Sequence, residues 1–275
     1  MKTRSFLTLL IPALLTIIIS FTGCKNRKTQ TNAVNTTEEV QKTRIKTEVK
    51  SFIYPLPTSY EVVQMLQDIG ISYIIGISNP PENINQYLSL KSKALALGIY
   101  GADLGYASIY NMRQDIINYL DVIKKLGEDL DLKSVYNESL FKRISNNLDN
   151  KDTLVNILSG ALFKSYNQLN TDGRGNLALL MVAGGWIEAL YLTTHVSDNA
   201  FNNYKLVKII FDQKKSLSKL MDVLEENKNN SDINGLIRIL TPLQQKYDAI
   251  QGSMTEKQLR DISTEVENIR NKLLK

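Results

Sequence analysis

Glu188, Tyr191 and His195 are spaced three and four residues apart, so on a helix they share one face. A carboxylate withdrawn from water beside an imidazole can move protons, because desolvation lifts a carboxyl pKa towards neutrality. Gly184 lies one turn earlier, and Trp186 stands two residues from Glu188 on a different side of the same helix. The plainer reading is a satisfied polar patch in which Glu188 meets a Lys or Arg from another helix. It is favoured, since structural ion pairs perturb carboxylates as readily as active sites do.

A second group is aromatic. Nine of the thirteen tyrosines fall between Tyr54 and Tyr136, and Tyr100, Tyr106 and Tyr110 surround Asp103. Tyr106 and Tyr110 are one turn apart, a spacing that lines a groove for a sugar or a peptide. Together with Trp186 and Tyr191, the residues Tyr100, Asp103, Tyr106 and Tyr110 are the candidate ligand contacts. Against this stands the simpler expectation that the rings pack in a core with their hydroxyls at its rim. Asp103 itself reads as a helix N-cap in preference to a catalytic acid.

Other chemistries find little support. His195 is the only histidine and Cys24 the only cysteine, and no acidic loop has calcium-site spacing, so neither a metal nor a cofactor is expected. No Gly-x-Ser-x-Gly elbow accompanies His195. Gly98-x-x-Gly101-x-x-x-Gly105 lacks the Lys-Ser/Thr ending of a phosphate loop and reads as a helix stop followed by a helix start.

The elements that must position these residues are helices. Two prolines extend residues 52–57, and Thr58 or Ser59 caps a helix through Ile69, with Gly70 as its stop. Residues 71–77 fit either a strand or a buried helical turn. Helical spacing returns from Glu82 to Leu97 and ends at Gly98; Asp103 opens a long helix reaching about Leu130. Asn137 caps another through Leu148, and Asp152 begins one running to Leu169, followed by the loop Thr171–Gly175. Asn176–Val196 is the most apolar segment beyond the leader, with Glu188 its only formal charge. A helix apolar on all sides is either the centre of a bundle or a membrane span. The cost of Glu188 in lipid favours the first, and Gly184-Gly185 lets a neighbour come close. The last third carries apolar stripes, Leu206, Ile210, Leu217, Leu220 and Leu224, then Leu259, Ile262, Val266, Ile269 and Leu273. The Asn227–Asn234 loop and Gln251-Gly252-Ser253 separate three amphipathic helices there. The expected fold is all-α, a multi-helix bundle with a central apolar helix and a C-terminal amphipathic sub-bundle.

Charge and the N-terminal segment bound the setting. The whole chain carries +5, of which Lys2 and Arg4 supply +2 and residues 25–50, with seven Lys/Arg and three Glu, supply +4; residues 51–275 are left with −1. A near-neutral folded part lacks the basic footprint that nucleic acid requires. Residues 1–23 follow secretory signal grammar, with a positive start, an apolar run from Phe6 to Ile19 and small residues at a cleavage point. Phe21-Thr22-Gly23-Cys24 resembles a bacterial lipobox, which implies an acylated (palmitate-type) Cys24 holding the chain on a lipid bilayer. Residues 24–50 then form the lipidated cysteine and a flexible basic tether. Residues 51–200 form a Tyr-rich helical core and 201–275 a helical extension packed on it. Lys25 is not the aspartate associated with inner-membrane retention, and no acidic cluster follows, so the expected place is the inner leaflet of the outer membrane, facing the periplasm. Over residues 52 to 200, the runs Gly98–Ala107 and Ala183–Glu188 resemble uncharacterised lipoproteins of Bacteroidetes, a likeness that implies compartment and helical character and no activity. The expected function is a non-catalytic binding or scaffold module with an envelope protein, peptide or glycan as partner. A hydrolase or transferase using Glu188 and His195, or a membrane-spanning component built on residues 176–196, are the alternatives.

Overall fold

The computed structural model describes residues 59–197 and 200–274. These form α1 (Ser59–Asp68), a 3₁₀ turn (Pro81–Gln86), α2 (Leu90–Ile109), α3 (Arg113–Asp129), α4 (Glu138–Ser145), α5 (Lys151–Thr171), α6 (Gly175–His195), a short 3₁₀ turn (Ala200–Asn202), α7 (Tyr204–Glu226), α8 (Ser231–Asp248) and α9 (Glu256–Leu273). No strand occurs among them, and the fold is all-α. The leader, Cys24, the tether, the extended residues 52–57 and Thr58 lie outside the described residues.

Two helices without a polar face hold the rest. α6 packs against α2 along its length and also touches α1, α5, α7, α8 and α9. By length and composition α6 is apolar enough to cross a membrane, at a mean hydropathy of 1.5, but 89% of that apolar window is buried inside the protein. It serves as the bundle centre. The α2–α6 contact is backbone against backbone. A Cβ at Gly98 would run into the Met181 carbonyl and stand 2.7 Å from Gly185 N, and one at Gly184 would run into the Leu95 carbonyl. Glycine is required at these places because a neighbouring main chain occupies the volume of a side chain.

That contact corrects the reading of Gly98 as a helix stop. α2 begins at Leu90, capped by Ser89 in a reciprocal box with Ser92, and runs straight through Gly98, Gly101 and Gly105. Residues 82–89 are only a 3₁₀ turn and its exit. Asp103 is not an N-cap; it sits mid-helix and is fully buried. The break falls instead at Asn111, whose φ of 57° places it in the left-handed region. There Met112 N donates to Ala107 O at 2.8 Å and Asn111 N to Ser108 O at 3.1 Å, closing a Schellman motif that separates α2 from α3. Asp131, at φ 54°, ends α3 in the same way. Residues 71–77 are neither strand nor helix.

Smaller boundaries shift too. Asn137 caps α4 as expected, accepting from Leu140 N at 3.0 Å, but the helix stops at Ser145. Asn150 caps α5, one turn-position ahead of Asp152. Gly175 already belongs to α6, and the α7–α8 loop is confined to residues 227–230. Both C-terminal stripes are buried as their spacing requires. The described residues group as one unit, within which α9 lies on α6 and α8.

Candidate functional site

Glu188 sits at the middle of α6 with 0% of its surface exposed. Arg270 reaches it from α9: Nε donates to Oε2 and Nη2 to Oε1, each at 2.7 Å. This two-pronged geometry matches a planar guanidinium to a carboxylate and takes both carboxylate oxygens. Burial is the largest single influence and would lower the Arg270 pKa, but the hydrogen bonds to Glu188 and the attraction of the acidic groups around it together outweigh it and raise it, so the guanidinium stays charged. The expected satisfied patch is therefore present, with Arg270 as the partner.

A third group enters from α2. Asp103 is fully buried and close enough to Glu188 to feel its charge. Its Oδ2 accepts from Asn79 N at 3.2 Å, while Oδ1 has no donor. Burial, and behind it the Glu188 charge, hold Asp103 well above the usual aspartate range. Two carboxyl groups in one dry site cannot both ionise at close range. A proton on Asp103 makes it a donor and leaves one negative charge, that of Glu188, opposite Arg270.

The row continues outward. The Arg270 guanidinium lies over the Tyr191 ring at 4.0 Å, and the His195 ring stacks on Tyr191 at 4.2 Å. Tyr191 and Arg270 thus stand between the carboxylate and the imidazole, and the structure does not bring Glu188 and His195 into contact. His195 Nδ1 lies 3.0 Å from the Tyr191 carbonyl and 2.9 Å from Thr194 Oγ1; a hydrogen on Nδ1 satisfies the carbonyl and leaves Nε2 with the lone pair. Burial lowers the His195 pKa, which favours the neutral ring. Nε2 faces Ser263 Oγ at 3.4 Å, the far edge of hydrogen bonding, and Glu267 Oε2 at 4.0 Å. An open cleft of about 270 Å³ borders His195, Arg260 and Ser263 there. Trp186 points elsewhere, donating from Nε1 to Gln213 Oε1 of α7 at 3.2 Å.

The tyrosine rings pack in the core, as the simpler expectation has it, and their hydroxyls hold a neighbouring segment of the chain. Tyr100 Oη donates to Pro80 O at 2.8 Å, and Tyr110 Oη to Ile71 O at 2.7 Å. Tyr106 Oη accepts from Ile74 N at 2.9 Å, and Tyr73 stacks on Tyr106 at 4.6 Å. With Asp103 taking Asn79 N, one face of α2 supplies partners to an irregular segment, residues 71–80, that has no ladder of its own. Tyr100 and Tyr106 are 0% exposed, so the groove expected at Tyr106 and Tyr110 is already filled.

Sequence reasoning missed Arg270, Asn79 and the pairing of Asp103 with Glu188. A signal existed for each acid: Asp103 is the only formal charge between Lys93 and Arg113, as Glu188 is within 176–196. Arg270 falls four residues after Val266, in register with the apolar stripe of α9. Among the described residues no three His, Cys, Asp or Glu side chains gather as metal ligands. No protein-family profile, curated protein or solved structure matches the chain.

Proposed function

We propose that this chain is a lipid-anchored, non-catalytic helical module, held at the inner leaflet of the outer membrane with its folded part in the periplasm, where it binds a protein, peptide or glycan of the envelope. The observation that carries the non-catalytic reading is the closure of Glu188 by Arg270. The carboxylate best placed to move protons has both oxygens committed and no exposed surface. Freeing it would break a buried pair, which costs about 3–5 kcal/mol. The anchor rests on the order of Lys2, Arg4, the apolar run and Phe21-Thr22-Gly23-Cys24. Several acyl chains on one cysteine give durable attachment, where a single chain holds only reversibly.

Metabolic labelling with an alkyne fatty acid tests the anchor. The wild-type chain is expected to take up label and Cys24→Ala to lose it; label unchanged in the variant overturns the anchor. Cross-linking in intact cells, read by mass spectrometry, is expected to return a recurrent envelope partner. A chain recovered from the cytoplasm with its initiator end intact overturns the compartment. The burial of α6 supports a core role over a span, and solubility without detergent of the chain lacking residues 1–50 checks it.

A further inference from the structure

Between α4 and α5 lies a cleft of about 320 Å³ lined by two cations among polar and apolar side chains. Leu140, Ile157 and Ala161 make its floor, and Arg143 from α4 and Lys164 from α5 stand at its rim. No acidic side chain lines it. Among the described residues neither cation forms an ion pair. Two cations turned on one opening, with no acid of the chain between them, are arranged for an anion from outside.

The wall of the cleft carries a second, independent sign. Gly160 sits in the middle of α5, where glycine is among the least favourable residues. Gly98 and Gly184 are explained by a neighbouring main chain; Gly160 is not. A Cβ there would meet nothing within 4 Å, and its backbone is not left-handed. What the glycine does is bare the α5 main chain at the cleft wall, which admits close approach by another molecule.

We infer that this cleft binds a small organic anion, its carboxylate or phosphate head between Arg143 and Lys164 and a compact apolar body against Gly160, Ile157 and Leu140. Arg143 supplies a fork that fits either head, and Lys164 a point charge. The volume lies at the small end of the range for small-molecule sites, roughly 300–1,000 Å³. This goes beyond the module reading and holds whether or not the chain is anchored.

The test is isothermal titration of the full chain in a neutral detergent with phenyl phosphate, benzoate and the uncharged isostere benzamide. At least one anion is expected to saturate a single site while benzamide does not, and the tighter anion identifies the head group. Arg143→Gln and Lys164→Gln are each expected to weaken that anion roughly tenfold, the worth of one hydrogen bond to a charged group. Gly160→Leu fills the cleft and should reduce binding at least as much, with helical circular dichroism and thermal midpoint no lower than wild type because the side chain enters empty space. If Gly160→Leu does not fold, the two rim variants carry the test, since both side chains are exposed. Benzamide binding as well as benzoate, a folded Gly160→Leu binding like wild type, or no saturable binding of either anion at about 10 mM overturns the proposal.

Discussion

The pair α2–α6 and the C-terminal group α7–α9 solve one packing problem by opposite means. In α7–α9 each helix keeps a polar face to solvent and buries a leucine-rich stripe. In α2 and α6 no face is left over. The two helices touch at Gly98, Gly184 and Gly185, and each carries its one acid inward, where Arg270 of α9 meets Glu188. Amphipathic helices find their orientation from the hydrophobic effect alone. Helices apolar on every side need steric fit and a buried polar contact to select one rotation.

Arg270 is the residue through which α9 holds the central helix. Arg270→Met leaves Glu188 buried without a counter-charge and should lower unfolding free energy by about 3–5 kcal/mol in urea titration. The double variant Glu188→Gln, Arg270→Met should recover much of that, since the desolvated charge is gone. A loss under about 1 kcal/mol in the single variant would put the pair among ordinary surface bridges.

Asp103 sharpens the same point through pH. Its carboxyl is raised in the folded state, so the folded chain keeps a proton that the unfolded chain gives up. Stability from this group is therefore full in acid and declines as pH rises above the ordinary aspartate value, by about 1.4 kcal/mol per pH unit until the folded group ionises. Asp103→Asn, isosteric with the protonated acid, should remove that decline when wild type and variant are compared by denaturation at several pH values above 4. A slope unchanged by the substitution would show that Asp103 ionises normally.

The glycines separate by what each faces. Gly184→Ala forces the Leu95 carbonyl aside and should cost about 1–3 kcal/mol, as overpacking does. Gly101→Ala, on α2, the other helix of that seam, is the control. Its Cβ meets nothing within 4 Å, and Gly101 borders a void of only about 20 Å³ among apolar side chains. Alanine there should stabilise by about 1 kcal/mol through helix propensity, seen as a raised thermal midpoint. If both alanines destabilise equally, the seam is not set by main-chain contact.

Legibility follows the same division. Where a stripe exists, as in Leu259–Leu273, periodicity alone placed the helix and its buried face. Where it does not, punctuation had to substitute, and it misled. Gly98 looks like a stop but is a contact, and Asp103 looks like a cap but is a buried acid. The true break at Asn111 uses a left-handed asparagine in place of glycine. Glu188 was readable as a lone charge on an apolar helix, and a basic partner on another helix was the favoured expectation. Its identity was not readable, because Arg270 lies 82 residues away and only the tertiary fold brings it near. The tyrosine row was readable as core rings with hydroxyls at the rim, or as a groove for a sugar or a peptide; that residues 71–80 meet those hydroxyls depends on a chain reversal that no local pattern encodes.

A helix that borders six others has a consequence for how the molecule comes apart. Lifting away α1, α5, α7 or α9 bares grease on α6 that nothing else can cover, so no such element peels off cheaply. Residues on opposite sides of the bundle should lose their amide protection together, in a single melting event with one enthalpy.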